Sequence, residues 1–205
     1  MEPEKLLQIL SQAARLKTTM RHCYTMEGRE ESVADHSWRI ALTAMLMTGI
    51  EEFRDINMDR VIRMCLIHDL GESFTGDIPA FVKTDSDTGE EVDLFRRWVD
   101  TFPEPQRGEW TELLAEMEAL KTREARLYKA LDKIEAVISH NESDIHTWLP
   151  LEYDLQLTYG LDNMTFSADG WTPSRSPRGE NGRDFFRKWK PLRPGRPGSI
   201  RLWIR

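Results

Sequence analysis

The stretch Val61-Ile-Arg-Met-Cys-Leu-Ile-His68-Asp69-Leu-Gly71-Glu72 carries most of the information about the fold. Its apolar residues recur at spacings of three and four, which predicts a helix. His68 continues the row that contains Val61 and Cys65, and Asp69 follows about 100° further around the helix. The histidine and the aspartate are therefore expected at the carboxyl end of one helix, where both side chains can converge on one point.

Helical periodicity extends over the rest of residues 1–160, and strand-like alternation is nearly absent. The periodic segments are residues 6–14, 33–53, 92–99, 110–120 and 127–138. Helix starts are indicated by Ser32 with Asp35 three residues later, by Thr111 and by Thr122. Turn-forming residues predict loops at Gly71 and over residues 76–79, 85–89 and 103–105. The sequence therefore predicts an all-α helical bundle.

Length and composition favour one domain with a sizeable core, since the chain has 205 residues of which 40% are hydrophobic. Cys23 and Cys65 are the two cysteines, too few for a disulfide framework. The first residues lack the basic-then-apolar order of a signal peptide, and polar residues interrupt the apolar run 40–50. We therefore expect a cytoplasmic protein with no membrane span.

Charge divides the chain into two compositional parts. Residues 1–160 carry a net charge of −13 and residues 161–205 a net charge of +6. A DNA or RNA duplex is bound through a clustered basic surface, which the acidic part does not supply. The acidic part thus argues against a nucleic-acid duplex as partner and is compatible with cation binding.

The part from residue 161 to 205 has an irregular composition. It holds five of the ten prolines and five of the twelve glycines, and the run 190–198 cannot continue a helix. Its aromatic and aliphatic residues leave two alternatives open, a disordered tail or a segment that docks on the body or another subunit. We expect a domain over residues 1–160 and a basic Pro/Gly-rich C-terminal extension over residues 161–205.

His36 and Asp132 offer two further metal-ligating groups on other predicted helices. His36 continues a row with Ile40 and Thr43, so its ring is expected to face the core. Asp132 lies at the edge of the apolar row of a later helix, where an unpaired carboxylate would be very costly to bury. One cation would satisfy these two groups together with His68 and Asp69. The alternative is a hydrogen-bonded core histidine and a chance His-Asp dipeptide.

Four motifs then occur in a recognisable order. They are Glu31-Ser-Val-Ala-Asp-His36-Ser, His68-Asp-Leu-Gly-Glu72, Thr75-Gly-Asp77-Ile-Pro79 and Leu131-Asp132-Lys-Ile-Glu135. Over residues 4–166 the sequence resembles the HD-domain 5′-deoxynucleotidases of the HD metal-dependent phosphohydrolase superfamily. The resemblance implies an HD-domain helical bundle, a homodimer, and hydrolysis of 2′-deoxynucleoside 5′-monophosphates to the deoxynucleoside and phosphate by a metal-activated water.

The resemblance also implies one divalent transition metal ion, held by His36, His68, Asp69 and Asp132. Two nitrogen and two oxygen ligands suit Mn, Fe, Co, Ni or Zn better than calcium, and the sequence does not distinguish among these five metals. If the metal ion is five- or six-coordinate, four protein ligands leave coordination positions for water and for a phosphate oxygen.

Catalytic roles are expected for Glu72 and Asp77. Glu72 follows His68 by one turn and is expected to orient or deprotonate the attacking water, the alternative being a solvated carboxylate at a helix end. For Asp77 the resemblance implies contact with water or the sugar, and the alternative is that it caps its own turn.

Substrate-binding roles are expected for Arg21 and Lys83. Both match positions that contact the substrate phosphate in the resembled family, and a guanidinium suits bidentate phosphate contact. A surface arginine is the alternative for Arg21. His140 and His146 have no partner motif and are expected to be structural or exposed. The extension after residue 166 departs from the family, whose members continue with an amphipathic helix.

Two other functions remain open at this stage. One is an HD phosphohydrolase that acts on a nucleoside di- or triphosphate, a pyrophosphate or a cyclic ester. The other is a non-enzymatic helical module that binds a nucleotide or a partner through the basic extension. The complete set of metal-ligating residues favours an enzyme over such a module.

Overall fold

A computed structural model describes residues 1–160 together with residues 162 and 163. The α-helices are α1 (Pro3–Ala13), α2 (Val33–Leu46), α3 (Met58–Ile67), α4 (Glu72–Thr75), α5 (Asp85–Val99), α6 (Gln106–Ala119), α7 (Arg123–Glu142) and α8 (Glu152–Leu155). Short 3-10 turns occupy Ala14–Lys17, Glu51–Phe53 and Ile145–Thr147. The predicted all-α class is confirmed, with one small sheet added between α1 and α2.

Helices α2, α3 and α7 pack against one another and form the centre of the core. Their facing side chains are almost fully buried, among them Ile40 of α2, Val61 and Met64 of α3, and Leu127 and Leu131 of α7. These are residues of the predicted apolar rows, so helical periodicity identified the core correctly. Every metal-ligating residue expected from the sequence lies on or directly after one of these three helices.

The small sheet is an antiparallel pair of β1 (Met20–Tyr24) and β2 (Glu30–Ser32). Met20 pairs with Ser32 and Tyr24 with Glu30, with an irregular register between the two pairs. Strands of five and three residues are too short to show an alternating pattern in the sequence. The hairpin matters because it brings residues of β1 and β2 side by side at the start of α2.

Two of the predicted helix starts are confirmed. Ser32 and Asp35 form a capping box in which each side chain accepts a hydrogen bond from the backbone N–H of the other. Thr122 accepts a hydrogen bond from the Ala125 N–H at 3.1 Å and caps α7. The start predicted at Thr111 is wrong, because α6 already begins at Gln106 and the Thr111 hydroxyl bonds within the helix.

Two predicted boundaries are also wrong. Residues 85–89 are not a loop but the first turns of α5, because Thr84 and Asp87 form a second capping box that outweighs the turn-forming composition. The helix predicted over residues 33–53 ends at Leu46, and the chain turns at Gly49 with φ 88°. This left-handed conformation favours glycine and cannot continue a right-handed helix.

An aromatic cluster fixes α5 against α6. Trp98 meets the ring of Phe102 edge-on with centroids 4.9 Å apart, and Phe102 meets Trp110 at 5.2 Å. Such edge-to-face pairs add about 0.5–1.5 kcal/mol beyond the area they bury. The aromatic cluster holds α5 in place. Gly71 allows α5 to approach the start of α4, since a Cβ on Gly71 would lie 2.6 Å from Glu91 Cγ of α5.

Other expectations have mixed outcomes. Cys23 and Cys65 are both free and buried. Among the described helices none is long and apolar enough to cross a membrane. The predicted C-terminal extension, residues 161–205, lies outside the described residues except for positions 162 and 163.

We expect Thr84→Ala to lower the free energy of unfolding by about 1 kcal/mol, because it removes the cap of α5. Urea unfolding followed by circular dichroism measures this difference. Ser86→Ala, an exposed hydroxyl in the first turn of the same helix, is the control and should change stability much less. Equal effects of the two substitutions would contradict the assignment of Thr84 as the cap.

Candidate metal centre

His36 lies in the first turn of α2 and is only 1% exposed. The capping box at Ser32 fixes where α2 begins and therefore which way the ring points. Its Nε2 atom is 3.3 Å from Asp132 Oδ1 and 3.8 Å from Asp69 Oδ2, and its Nδ1 atom contacts Glu135 Oε2. The inward orientation expected from the sequence is confirmed, and carboxylates contact both ring nitrogens.

His68 is the C-terminal cap residue of α3, and Asp69 follows directly. The His68 Nδ1 atom is 2.9 Å from the Cys65 carbonyl oxygen, which can only accept, so Nδ1 carries the proton. In the neutral ring Nε2 then has the lone pair that a metal ion needs, and this atom lies 3.0 Å from Asp69 Oδ2 and 3.8 Å from Asp132 Oδ1. It is buried and has no hydrogen-bond partner among the described residues. Two carboxylates this close to the ring are favourable only with a positive charge between them, which a metal ion or a proton on Nε2 supplies.

The four residues expected to bind metal thus come from three helices to one place. Single ligand atoms of His36, His68 and Asp69 all lie within 4.8 Å of one another, and Asp132 is within 4 Å of both imidazoles. Imidazole and carboxylate ligands in this number fit a divalent transition metal ion. The unpaired Nε2 of His68 and the composition of the cluster both agree with such an ion.

Two lysines that the sequence did not single out flank Asp132 on α7. Lys129 Nζ lies 2.8 Å and Lys133 Nζ 3.4 Å from Asp132 Oδ2. Burial opposes ionisation of Asp132, but the two ammonium groups and His36 hold the pKa of this carboxyl well below its usual range. Burial likewise opposes ionisation of Asp69, and His68 holds the pKa of Asp69 below its usual range. Both carboxylates are therefore ready to bind a cation at neutral pH.

A cavity of about 210 Å³ opens beside the cluster. It is bordered by β1, by the chain between α4 and α5, by α7 and by residues 152–159. The expected site residues among its lining are Arg21, Asp69, Glu72, Asp77, Lys83 and Asp132. The structure thus brings the expected catalytic and substrate-binding residues to the same cavity as two of the expected metal ligands.

Glu72 is 5% exposed at the start of α4, so the alternative of a solvated carboxylate is wrong. Its Oε2 atom is buried without a hydrogen-bond partner among the described residues, and Oε1 lies 4.0 Å from Lys83 Nζ. Burial, reinforced by the charges of Asp69 and Asp77, raises the pKa of Glu72 to about 10 in the metal-free protein. A cation bound at Asp69 would oppose this rise.

Asp77 is half-buried in the turn after α4, and burial raises the pKa of its carboxyl. Its side chain accepts no hydrogen bond from the described residues, so the alternative that it caps its own turn is not observed. The carboxylate borders the cavity and is free to contact a molecule there.

The two expected phosphate-binding cations are each paired with a glutamate. Arg21 on β1 is largely buried, and its Nη1 atom lies 2.9 Å from Glu31 Oε2, so it is not a surface arginine. Lys83 Nζ lies 2.5 Å from Glu91 Oε2 on α5. Both pairs restrain a long side chain at the cavity wall.

The far wall of the cavity contains polar residues for which the sequence indicated no function. Glu152 lies between two histidines, with Oε1 3.3 Å from His22 Nε2 and Oε2 3.4 Å from His140 Nε2. His140 is thus structural, as expected, but also lines the cavity, whereas His146 is exposed. Residues so distant in sequence give no local signal, and only the fold brings them together.

Comparisons with known proteins agree with this site. A family model described as an HD domain matches residues 13–170. The human protein named 5′-deoxynucleotidase HDDC2 is 35% identical over 141 residues, which is 67% of each chain. The fission yeast 5′-deoxynucleotidase hdd1 is 29% identical over 64% of this chain and 69% of its own.

Solved structures show the same similarity. A protein from Magnetospirillum magnetotacticum, described as a predicted metal-dependent phosphohydrolase, superimposes with a TM-score of 0.64 at 30% identity, covering 73% of this chain and 76% of its own. A conserved hypothetical protein from Pyrococcus furiosus superimposes with a TM-score of 0.53 at 30% identity, covering 73% and 89%. The chain belongs to the HD-domain 5′-deoxynucleotidase family.

Glu72→Gln is expected to stabilise the metal-free protein at alkaline pH. The pKa of Glu72 is 4.5 when unperturbed and about 10 in the folded protein, so folding retains a proton that the unfolded chain releases above about pH 5. Stability attributable to this group is therefore lost between about pH 5 and pH 10, whereas a glutamine does not titrate. At pH 8 the variant should be more stable by on the order of 1 kcal/mol, and the difference should shrink towards pH 4.5.

Urea unfolding across this pH range, with a chelator present, measures the difference. Glu90→Gln, an exposed position of α5, is the control and should show no pH-dependent gain. A gain that is the same at pH 5 and pH 8 would show that the charge of Glu72 is not its cause.

His68→Ala is expected to abolish metal retention, because it removes an expected ligand atom that has no hydrogen-bond partner in the described part of the chain. Elemental analysis of protein purified without chelator should find about one ion per chain in the wild type and almost none in the variant. His146→Ala changes an exposed histidine and should leave the metal content intact. Equal metal content in the two variants would rule out His68 as a ligand.

Proposed function

We propose that this protein is a phosphomonoesterase that hydrolyses 2′-deoxynucleoside 5′-monophosphates to the deoxynucleoside and phosphate. The observation that carries the proposal is one cavity bordered by Asp69 and Asp132, by the carboxylates of Glu72 and Asp77, which accept no hydrogen bond from the described residues, and by four cationic side chains. The names of the relatives supply the substrate class, and the cavity supplies groups suited to each part of that reaction.

His36, His68, Asp69 and Asp132 would hold one divalent transition metal ion. When bound there, the ion supplies Lewis-acid polarisation of the phosphoryl group and makes a coordinated water more acidic. The identity of the metal and the number of ions are part of the proposal, and the ligand types favour Mn, Fe, Co, Ni or Zn.

The phosphate of the substrate would be bound by the cationic side chains that border the cavity. Arg21 is suited to a bidentate contact, while Lys83, Lys129 and Lys133 act as point charges. Each of these cations already touches a carboxylate, which keeps its head group in place before the substrate arrives. A monophosphate dianion is compact and matches this small set of positive charges.

Glu72 is the residue best placed to handle the proton of the attacking water. No described residue donates a hydrogen bond to its buried Oε2, so in the ionised form this atom can accept that proton as the water oxygen bonds to phosphorus. The bond from phosphorus to the 5′-oxygen then breaks, and this oxygen takes a proton from the protonated Glu72 or from solvent, so that the deoxynucleoside leaves. Asp77 is placed to orient the water or to contact the sugar.

The two alternative functions are less well supported. A site for di- or triphosphates needs cations for each further phosphate, and within the described cavity the four cations gather near the metal ligands. A non-enzymatic module would have no need for a buried carboxylate such as Glu72 beside a metal site. A homodimer and a cytoplasmic location remain predictions.

A substrate panel tests the proposal. Protein loaded with Mn²⁺ or Co²⁺ should release phosphate from dAMP, dGMP and dTMP, and Glu72→Gln should lower kcat by about 10²–10⁴-fold with its metal content unchanged. Arg21→Ala should mainly raise KM, because it removes a phosphate contact that exists before the transition state. Phosphate release is measured by a colorimetric assay, and metal content by elemental analysis.

The ribonucleotides AMP, GMP and UMP serve as matched substrates that differ at the sugar. Faster hydrolysis of nucleoside diphosphates, triphosphates or cyclic nucleotides than of every monophosphate would favour the alternative phosphohydrolase. Metal-loaded protein that hydrolyses none of these compounds would leave only the binding module.

A further inference from the structure

A pair of buried carboxylates lies on the Nδ1 side of His36, and one of the two, Glu31, also borders the cavity. Glu31 of β2 and Glu135 of α7 are 4% and 3% exposed and come from distant parts of the chain. Ser139, one turn after Glu135, places its hydroxyl 2.6 Å from Glu135 Oε1 and 2.8 Å from Glu31 Oε1. Burying two carboxylates together is costly, so their contacts with other groups indicate what they hold in place.

Glu135 contacts the metal-binding histidine on its far side. Its Oε2 atom contacts His36 Nδ1, while His36 Nε2 faces Asp132 and Asp69. A carboxylate at Nδ1 keeps the proton on that nitrogen, which leaves the Nε2 lone pair for the metal and fixes the plane of the ring. Ser139 in turn holds the carboxylate of Glu135 by its other oxygen.

Glu31 contacts the expected phosphate-binding arginine. Its Oε2 atom lies 2.9 Å from Arg21 Nη1, across the pairing of β1 with β2. The same guanidinium nitrogen lies 3.6 Å from Glu135 Oε2. One guanidinium therefore contacts both carboxylates on one side, and the hydroxyl of Ser139 lies between them on the other, where it donates its one proton to one of the two.

We propose that Glu135 and Glu31 are positioning residues with divided roles. Glu135 orients His36 for the metal, and Glu31 orients Arg21 for the substrate phosphate. Ser139 joins the two carboxylates, so that the metal ligand and the phosphate-binding cation are held at a fixed separation. The role of Arg21 rests on the proposed function, whereas the role of Glu135 requires only that His36 binds a metal.

A second metal ion at Glu31, His36 and Glu135 is the competing explanation, because their ligand atoms also lie within 4.8 Å of one another. The contacts disfavour it. Arg21 already places a positive charge against both carboxylates, and His36 Nδ1 is occupied by Glu135. A further cation would have to displace the guanidinium and deprotonate the imidazole that binds the first metal.

Metal affinity tests the role of Glu135 without any assay of activity. Calorimetric titration of the metal-free chain with Co²⁺ should give an affinity about 10–100-fold weaker for Glu135→Ala than for the wild type, with one ion per chain in both. Glu135→Gln keeps the shape of the side chain and should fall between the two. Glu31→Gln should bind Co²⁺ as the wild type does.

Phosphate binding and kinetics test the role of Glu31. Titration of the Co²⁺-loaded protein with inorganic phosphate should show about tenfold weaker binding for Glu31→Gln, since Arg21 loses the charged partner that restrains it. With dAMP as substrate the same variant should raise KM by about tenfold and change kcat little. If the protein hydrolyses no nucleotide, the phosphate titration still tests Glu31 and the Co²⁺ titration still tests Glu135.

Glu116→Gln is the matched control. Glu116 of α6 is partly buried and also pairs with an arginine, Arg60, but contacts none of His36, Arg21, Glu31, Glu135 and Ser139. Its substitution should leave Co²⁺ affinity, phosphate affinity and KM unchanged. Urea unfolding of every variant separates a loss of stability from a change in binding.

Three results would overturn the proposal. The first is a folded Glu135→Ala or Glu135→Gln chain that binds Co²⁺ as tightly as the wild type. The second is a wild-type stoichiometry of two ions that falls to one in Glu135→Ala, which would identify a second metal site. The third is a Glu31→Gln chain whose phosphate affinity equals that of the control.

Discussion

His36 of α2 is the point on which the site depends, because it is a polar ring with 1% exposure at the contact of α2 with α7. Neither ring nitrogen can be left without a partner at that depth. Asp132 therefore faces one nitrogen and Glu135 the other, three residues apart on α7. Burial of one imidazole thus fixes the rotation of α7 relative to α2 as well as the position of two carboxylates.

The two nitrogens of this ring face different surroundings. Nδ1 faces a buried hydrogen-bond network, and Nε2 faces the residues that are expected to bind metal. On the Nδ1 side, Glu135 contacts the ring, and Ser139 contacts both Glu135 and Glu31. On the Nε2 side, His68 and Glu72 each retain a buried atom without a hydrogen-bond partner among the described residues. Natural proteins rarely leave such atoms unpaired except where a ligand or reaction supplies the missing partner. Glu72 borders the cavity, and the Nε2 atom of His68 faces the expected metal ligands Asp69 and Asp132.

Local patterns in the sequence succeeded where one turn of chain decides the structure. The capping boxes and caps at Ser32 and Thr122, the apolar rows of α2, α3 and α7, and the placement of His68-Asp69 at a helix end are all read from residues within four positions. The error at residues 85–89 arose because turn-forming residues are also found in the first turns of helices. The error at Thr111 arose because a threonine inside a helix can donate its hydroxyl to the carbonyl four residues earlier and need not cap a helix start. At residues 85–89 the cap contacts of Thr84 and the packing of α5 on α6 stabilise the helical conformation.

The sequence by itself determined the helical class, the family resemblance and the four expected metal ligands, because each depends on residue type and short spacing. It did not reveal that Lys129 and Lys133 flank Asp132, that Glu152 lies between His22 and His140, or that Glu31 and Glu135 share Ser139. Most of these contacts join residues far apart in the chain, and all depend on how helices rotate and pack. Only the tertiary structure decides which buried charges meet, since each must find its partner within a few ångströms.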